Sequence, residues 1–97
     1  MVTYMGLLAE KLLELAEKYN DPVIKLSALL ESIEALVEGE NKYEVYENIK
    51  KDEKLYRVYS EILDEMFIYI LSGNLDQEIV SKIQNDIRSY MGEKHGI

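Results

Sequence analysis

The sequence contains no cysteine, one histidine (His95), one proline (Pro22) and only five glycines among its 97 residues. Without cysteine the chain has no disulfide framework, no cysteine-ligated zinc or iron–sulfur site and no thiol nucleophile. A single histidine excludes a His-rich metal site and argues against Ser-His-Asp catalysis. The scarcity of turn-forming residues also argues against a many-stranded β fold.

Positive charge is in short supply as well, with 11 Lys and Arg against 19 Asp and Glu, which gives a formal net charge of −8. The imbalance lies mainly in the first half: residues 1–49 hold 4 basic and 10 acidic side chains, and residues 50–97 hold 7 and 9. A negative field repels phosphate groups. We therefore do not expect the protein to bind nucleic acid directly.

No stretch of the sequence approaches the ~18 consecutive apolar residues of a membrane span, and no basic region precedes the apolar opening segment. We therefore expect neither a membrane segment nor a signal peptide, and the expected location is the cytoplasm. The abundance of Glu, Lys, Ile, Leu and Tyr beside only two Gln suggests a thermophilic source.

Apolar residues recur every three or four positions along almost the whole chain, which is the period of an amphipathic helix. This spacing predicts helices over about residues 3–19, 22–38, 42–51, 52–71 and 76–92. Four residues can cap helix N-termini, and three glycines suit helix ends: Asp21, Asn41, Asp52 and Asp76; Gly39, Gly73 and Gly92. A continuous helix over 42–71 is the alternative to a break near Asp52.

The connections between these helices are short, so consecutive helices are expected to pack as neighbours. The sequence therefore predicts an all-α fold, a single small up-and-down bundle of about five helices that forms one domain over residues 1–97. Residues 93–97, which include His95, are predicted to be a flexible and functionally inert tail.

Residues 66–71 (MFIYIL) are apolar on every side of the fourth predicted helix. At ~100° per residue, Ile68 and Leu71 point away from the face that contains Ile62 and Met66. A helix that is apolar all round must be surrounded. Either this segment is the centre of the bundle, or Ile68 and Leu71 line an interface with another chain.

Two pairs of carboxylates at i and i+3 are candidate Mg²⁺ ligands: Glu31 and Glu34 on the second predicted helix, and Glu61 and Asp64 on the fourth. Their arrangement resembles that of MazG-type nucleotide pyrophosphohydrolases over about residues 26–90. The resemblance implies that these carboxylates hold magnesium ions, which activate water against a nucleoside triphosphate. The alternative is a solvated charged face, because composition alone predicts three or four such pairs in this chain.

Tyrosines and basic residues are interleaved in the middle of the sequence, and this cluster comprises Tyr43, Tyr46, Lys50, Lys51, Lys54, Tyr56, Arg57 and Tyr59. Tyrosine is enriched where proteins contact proteins. The same combination can bind single-stranded nucleic acid, although acidic residues are interspersed here. Ordinary core and surface tyrosines are the third interpretation.

The sequence thus supports two functional hypotheses. The preferred one is a non-catalytic, acidic, helical accessory or adaptor protein without a cofactor. It would bind a protein partner or a second copy of itself through Ile68, Leu71 and the tyrosine-rich cluster. A subunit of a nucleic-acid-processing assembly such as a DNA polymerase holoenzyme fits this description. The alternative is the Mg²⁺-dependent pyrophosphohydrolase.

Overall fold

The computed structural model describes residues 4–96, which form five helices and no strand. The helices are α1 (Tyr4–Lys18), α2 (Pro22–Glu34), α3 (Lys42–Lys51), α4 (Glu53–Ser72) and α5 (Gln77–His95). The predicted all-α bundle of five helices is confirmed. Thr3, at which the first helix was predicted to begin, lies outside the described residues.

All five helices contribute to one hydrophobic core, whose fully buried side chains include Leu13, Leu29, Ile49, Ile62 and Ile83. The buried residues of each long helix recur every three or four positions, as the sequence spacing predicted. Small residues face the core on α1, where Gly6, Ala9 and Ala16 are buried. Ala16 also accepts a hydrogen bond from the Nζ of the buried Lys25, which joins α1 to α2.

The predicted N-terminal caps are confirmed. Asp21 accepts hydrogen bonds from the amides of Val23 and Ile24. Asn41 caps α3 and Asp76 caps α5 in the same way. These side chains bind amides that the first helical turn leaves without a partner.

The break between α3 and α4 at Asp52 is confirmed, and the alternative of one continuous helix over 42–71 is wrong. Asp52 is extended, with φ −105° and ψ 109°, and its Oδ1 accepts from the amides of Lys54 and Leu55. Its Oδ2 accepts a hydrogen bond of 2.7 Å from the hydroxyl of Tyr90 on α5. Asp52 therefore caps α4 and also ties the α3–α4 junction to α5.

Helix α2 ends at Glu34, four residues before the predicted end at residue 38. The amides of Leu36 and Val37 bond to carbonyls only three residues back, at 3.0 and 3.4 Å, so the chain leaves the α-helix in a tightened turn. The apolar pattern continued past the helix because Leu36 is still buried. Gly39 is not left-handed as predicted; instead its backbone approaches Val45 so closely that a Cβ there would lie 2.8 Å from Val45 Cγ2.

Helix α5 extends to His95, three residues beyond the predicted end at Gly92, and the left-handed Gly96 (φ 73°) follows it. The buried face continues from Ile87 through Met91 to His95 at four-residue spacing, and this packing outweighs the cost of about 1 kcal/mol for glycine within a helix. The prediction of a flexible tail from residue 93 is therefore wrong for residues 93–95. His95 is only 7% exposed, and its ring lies 6.0 Å from that of Tyr90.

Candidate functional site

Large apolar side chains are exposed on the C-terminal half of α4. Phe67, Ile70 and Leu71 are 63%, 76% and 71% exposed, and Leu63 is also exposed. Folded monomers seldom leave a contiguous group of such side chains in water, and when they do, the surface is often an interaction site. We call Leu63, Phe67, Ile70 and Leu71 the exposed stripe.

A groove between α2 and α4 borders this stripe. Its walls are Val23, Leu26 and Ser27 of α2 and Met66, Tyr69 and Ile70 of α4. The volume of the groove is about 160 Å³. Ser27 is the one wall residue that carries an aliphatic hydroxyl, and no charged side chain lines the groove. The groove is therefore mainly apolar and can accept apolar groups, with the Ser27 and Tyr69 hydroxyls as the polar groups of its wall residues.

Nearer the N-terminus of α4, helix α3 covers the face of α4 on which the groove lies. Tyr46 of α3 packs against Tyr59 of α4 with ring centroids 5.8 Å apart, and Lys50 Nζ lies 5.2 Å from the centre of the Tyr46 ring. A hydrogen bond with Tyr56 raises the pKa of Tyr46. Since Tyr59, Met66 and Ile70 recur at helical spacing, α3 covers one half of this face and the groove is its uncovered half.

The structure brings together only part of the tyrosine-rich cluster. Tyr46, Tyr56 and Tyr59 meet at the α3–α4 contact, whereas Tyr43 is 72% exposed and stands apart. Two of the basic residues already have acidic partners, because Lys50 pairs with Glu47 and Lys54 with Glu93. Lys51 and Arg57 are exposed. Much of the cluster therefore holds α3 against α4, and its role as a partner-binding surface stays a prediction.

Ile68 is 49% exposed and Leu71 is 71% exposed, so the interpretation of residues 66–71 as the centre of the bundle is wrong. The core side of α4 carries Leu55, Val58 and Ile62 instead. Ile68 and Ile70 are two positions apart on α4, which is about 200° around the helix axis at ~100° per residue. Ile68 therefore faces away from the groove. Both predicted interface residues are exposed, and neither Ile68 nor Leu71 lines the groove.

The candidate metal ligands are engaged with lysines. Lys42 at the start of α3 pairs with both Glu31 and Glu34, and the hydrogen bond with Glu34 raises the pKa of Lys42. Glu61 pairs with Lys82 at 3.2 Å. Asp64 is exposed. Within residues 4–96, no three side chains among His, Cys, Asp and Glu are grouped so that they could hold a metal ion, so the two carboxylate pairs do not form one site.

We expect the double substitution Glu61→Gln with Asp64→Asn to change the free energy of unfolding by less than about 0.5 kcal/mol, since exposed ion pairs contribute little. Urea unfolding with and without Mg²⁺ measures this. A large gain in stability without metal, together with the loss of a Mg²⁺-dependent stabilisation, would contradict the prediction and indicate that the carboxylates converge on an ion.

Glu65 is a buried carboxylate that the sequence patterns did not single out. It lies on the buried side of α4, is 4% exposed, and its Oε1 has no hydrogen-bond partner among residues 4–96. Burial raises its pKa, and the nearby Asp76 and Asp64 raise it further. Its spacing of three residues from the buried Ile62 was a signal that it would face the core.

Comparison with known proteins adds no assignment. No family model matches the chain, and neither a curated protein nor a solved structure matches it. The helices of the described residues also include none with the length and apolar composition needed to span a bilayer. The class that the fold and the groove define is therefore a small helical bundle with an uncovered apolar face.

Proposed function

We propose that this protein is a non-catalytic adaptor that binds a partner protein through the α2–α4 groove and the exposed stripe beside it. The observation that carries the proposal is the exposure of Phe67, Ile70 and Leu71 on a well-formed helix whose other end is covered by α3. Burial of apolar surface stabilises an interface by roughly 25 cal/mol per Å², and aromatic side chains such as Phe67 are frequent energetic centres of interfaces.

The polar groups of the structure support a binding role over a catalytic one. Three of the four candidate metal ligands pair with lysines: Glu31 and Glu34 with Lys42, and Glu61 with Lys82. The buried polar contacts, such as Asp52 with Tyr90, connect secondary structure elements. The acidic surface favours a protein partner over nucleic acid, and a place in a nucleic-acid-processing assembly remains a prediction from composition.

Affinity capture from native lysate with groove variants tests the proposal. Phe67→Ser with Ile70→Ser removes two exposed apolar side chains of α4, of which Ile70 lines the groove, and both are exposed enough for the bundle to keep its fold. Leu7→Ser with Leu15→Ser is the matched control, because it removes two exposed apolar side chains from α1. Circular dichroism and thermal unfolding verify that both variants are folded.

We expect a defined set of proteins to be retained by the wild type and by the α1 control and to be lost from the groove variant. Retention of the same proteins by all three forms would contradict the proposal. Release of pyrophosphate from nucleoside triphosphates with Mg²⁺, lost on changing Glu61 and Asp64, would contradict it as well and support the hydrolase alternative.

A further inference from the structure

We infer that a cavity between α4 and α5 binds a small monocarboxylic acid with a compact apolar body, and that Arg57 holds the carboxylate of this ligand. The inference goes beyond the proposed function, because the cavity shares no residue with the α2–α4 groove. It depends on the apolar floor of the cavity, on its volume, and on Arg57, which has no acidic partner among residues 4–96.

The floor of the cavity is apolar and belongs to the hydrophobic core. Four side chains form it, one from α2, two from α4 and one from α5: Ile33, Leu55, Val58 and Ile87. None of them is more than 4% exposed, so the packing of three helices holds them in place. Tyr90 also lines the cavity, and its hydroxyl donates a hydrogen bond to Asp52. An apolar group that enters the cavity would therefore contact a preformed surface.

The cavity has room for one compact apolar group. Its volume is about 130 Å³, slightly below the ~150 Å³ of an apolar cavity that binds benzene in another protein. The remaining lining residues are polar or charged: Lys54, Arg57, Asp86, Ser89 and Glu93. A ligand that matches this lining has an apolar body of about six carbon atoms and a polar group beside it.

The charges that line the cavity leave one cation unmatched. Glu93 of α5 pairs with Lys54 of α4 at 2.9 Å, and Asp86 pairs with Lys82 at 3.1 Å. Both carboxylates of the lining are therefore already neutralised by lysines. Arg57 is the remaining charged residue of the lining, and no carboxylate among residues 4–96 pairs with it. The lining therefore favours a ligand with a single negative charge.

The recognised group is best matched by a carboxylate. The other arginine of the chain, Arg88, binds two glutamates of α1, which shows the usual partner of a guanidinium in this acidic protein. The planar guanidinium of Arg57 can donate two parallel hydrogen bonds to one carboxylate. The hydroxyl of Ser89 lines the same cavity and can donate a further one. A second negative charge, as on a phosphate monoester, would find no unmatched cation in the lining.

Titrations followed by heteronuclear NMR test the inference. The probe is benzoate, whose ring matches the cavity and whose carboxylate is ionised at neutral pH. Benzamide has the ring without the charge, acetate has the charge without the ring, and phenyl phosphate carries a second charge. Each is titrated at ~150 mM NaCl, which screens non-specific attraction, into the wild type, Arg57→Gln and Lys51→Gln. Lys51→Gln is the matched control, because it removes an exposed positive charge that does not line the cavity.

We expect benzoate to shift the amide resonances of Val58, Ile87 and Ser89 in a saturable way. Arg57→Gln should weaken this binding about tenfold, since hydrogen bonds to charged groups are stronger than those between neutral groups. Lys51→Gln should leave the binding unchanged. Benzamide, which lacks the charge, and acetate, which lacks the apolar body, should each bind the wild type about tenfold more weakly than benzoate does. Phenyl phosphate should bind no more tightly than benzoate.

Four results would overturn the inference. The absence of saturable shifts at these amides would show that the cavity does not take up the acid. Equal weakening in Arg57→Gln and Lys51→Gln would indicate non-specific attraction of an anion. Equal binding of benzamide would show that the carboxylate is not recognised, and tighter binding of phenyl phosphate would show that the site selects a phosphate. Thermal unfolding verifies that both variants are folded. Because the cavity and the groove share no residue, none of these results bears on the adaptor function.

Discussion

Asp52→Ala is expected to lower the free energy of unfolding by about 2.5–4 kcal/mol, because one carboxylate serves two structural purposes. Its Oδ1 caps α4, and loss of an N-cap costs ~1 kcal/mol. Its Oδ2 accepts the Tyr90 hydroxyl at 2.7 Å, and a hydrogen bond to a charged group contributes about 1.5–3 kcal/mol. Urea unfolding followed by circular dichroism measures the change.

Tyr90→Phe is the matched control, since it removes the hydroxyl and keeps the ring. We expect it to cost less than Asp52→Ala, and the double variant to cost less than the sum of the two because both remove the same bond. Strict additivity would contradict a direct contribution of the hydrogen bond between Tyr90 and Asp52.

The effect of Asp52 should also depend on pH. Burial acts to raise the pKa of this carboxyl, but the Tyr90 hydroxyl and the amides of Leu55 and Lys54 outweigh it, so the pKa lies below its ordinary value of 3.8. A lowered pKa contributes stability that is fully present above the ordinary value and is lost as pH falls through the lowered one. The difference between wild type and Asp52→Ala should therefore be largest near neutral pH and shrink in acid below 3.8.

Glu65→Met is expected to raise the free energy of unfolding at pH 7 by about 1–3 kcal/mol, the cost of burying a polar group without a partner. Glu65 Oε1 has no hydrogen bond within the described part of the chain, and the side chain is almost fully buried. Methionine has a similar length and a flexible apolar chain, so it can fill the same space. Glu65→Gln should give a smaller gain, because it removes the charge but keeps a buried polar group.

The pH dependence of Glu65 has the opposite sign to that of Asp52. Burial, then Asp76 and Asp64, raise the pKa of Glu65 above its ordinary value of 4.5. Below 4.5 the carboxyl is protonated in both states, and the penalty grows as pH rises from there through the raised pKa. The gain from Glu65→Met should therefore be small in acid and reach its full size near neutral pH. Destabilisation by Glu65→Met at pH 7 would contradict this prediction. Asp64→Asn is the control: it changes an exposed neighbour and should have little effect on the free energy of unfolding.

The helices could be predicted from the sequence wherever the signal was local. Asp21, Asn41, Asp52 and Asp76 cap helices through their own side chains and the next few amides, so neighbours in sequence decide the outcome. The ends at Gly39 and Gly92 were predicted wrongly because the burial of neighbouring side chains decides them, and not the residue type at the predicted end. Leu36 is buried outside the helix, while His95 extends α5 by packing on Tyr90.

The candidate site depended on information that no single helix carries. The apolar run at 66–71 was visible in the sequence, but only the position of α2 beside α4 shows that Met66 and Ile70 line a groove and that Ile68 lies outside it. Likewise, the carboxylate pairs follow from spacing, whereas their pairing with Lys42 and Lys82 depends on how α3 and α5 pack. Tertiary contacts, which spacing cannot report, decided both points.

The central claim is that a partner protein contacts the uncovered face of α4, and site-specific photocross-linking in native lysate tests it most directly. A photoreactive phenylalanine analogue replaces Phe67 at the groove or, as the control, Tyr4 on α1, which is 81% exposed. We expect a discrete cross-linked species from position 67 that is absent from position 4. Position 67 giving no adduct, or the same adducts as position 4, would contradict it.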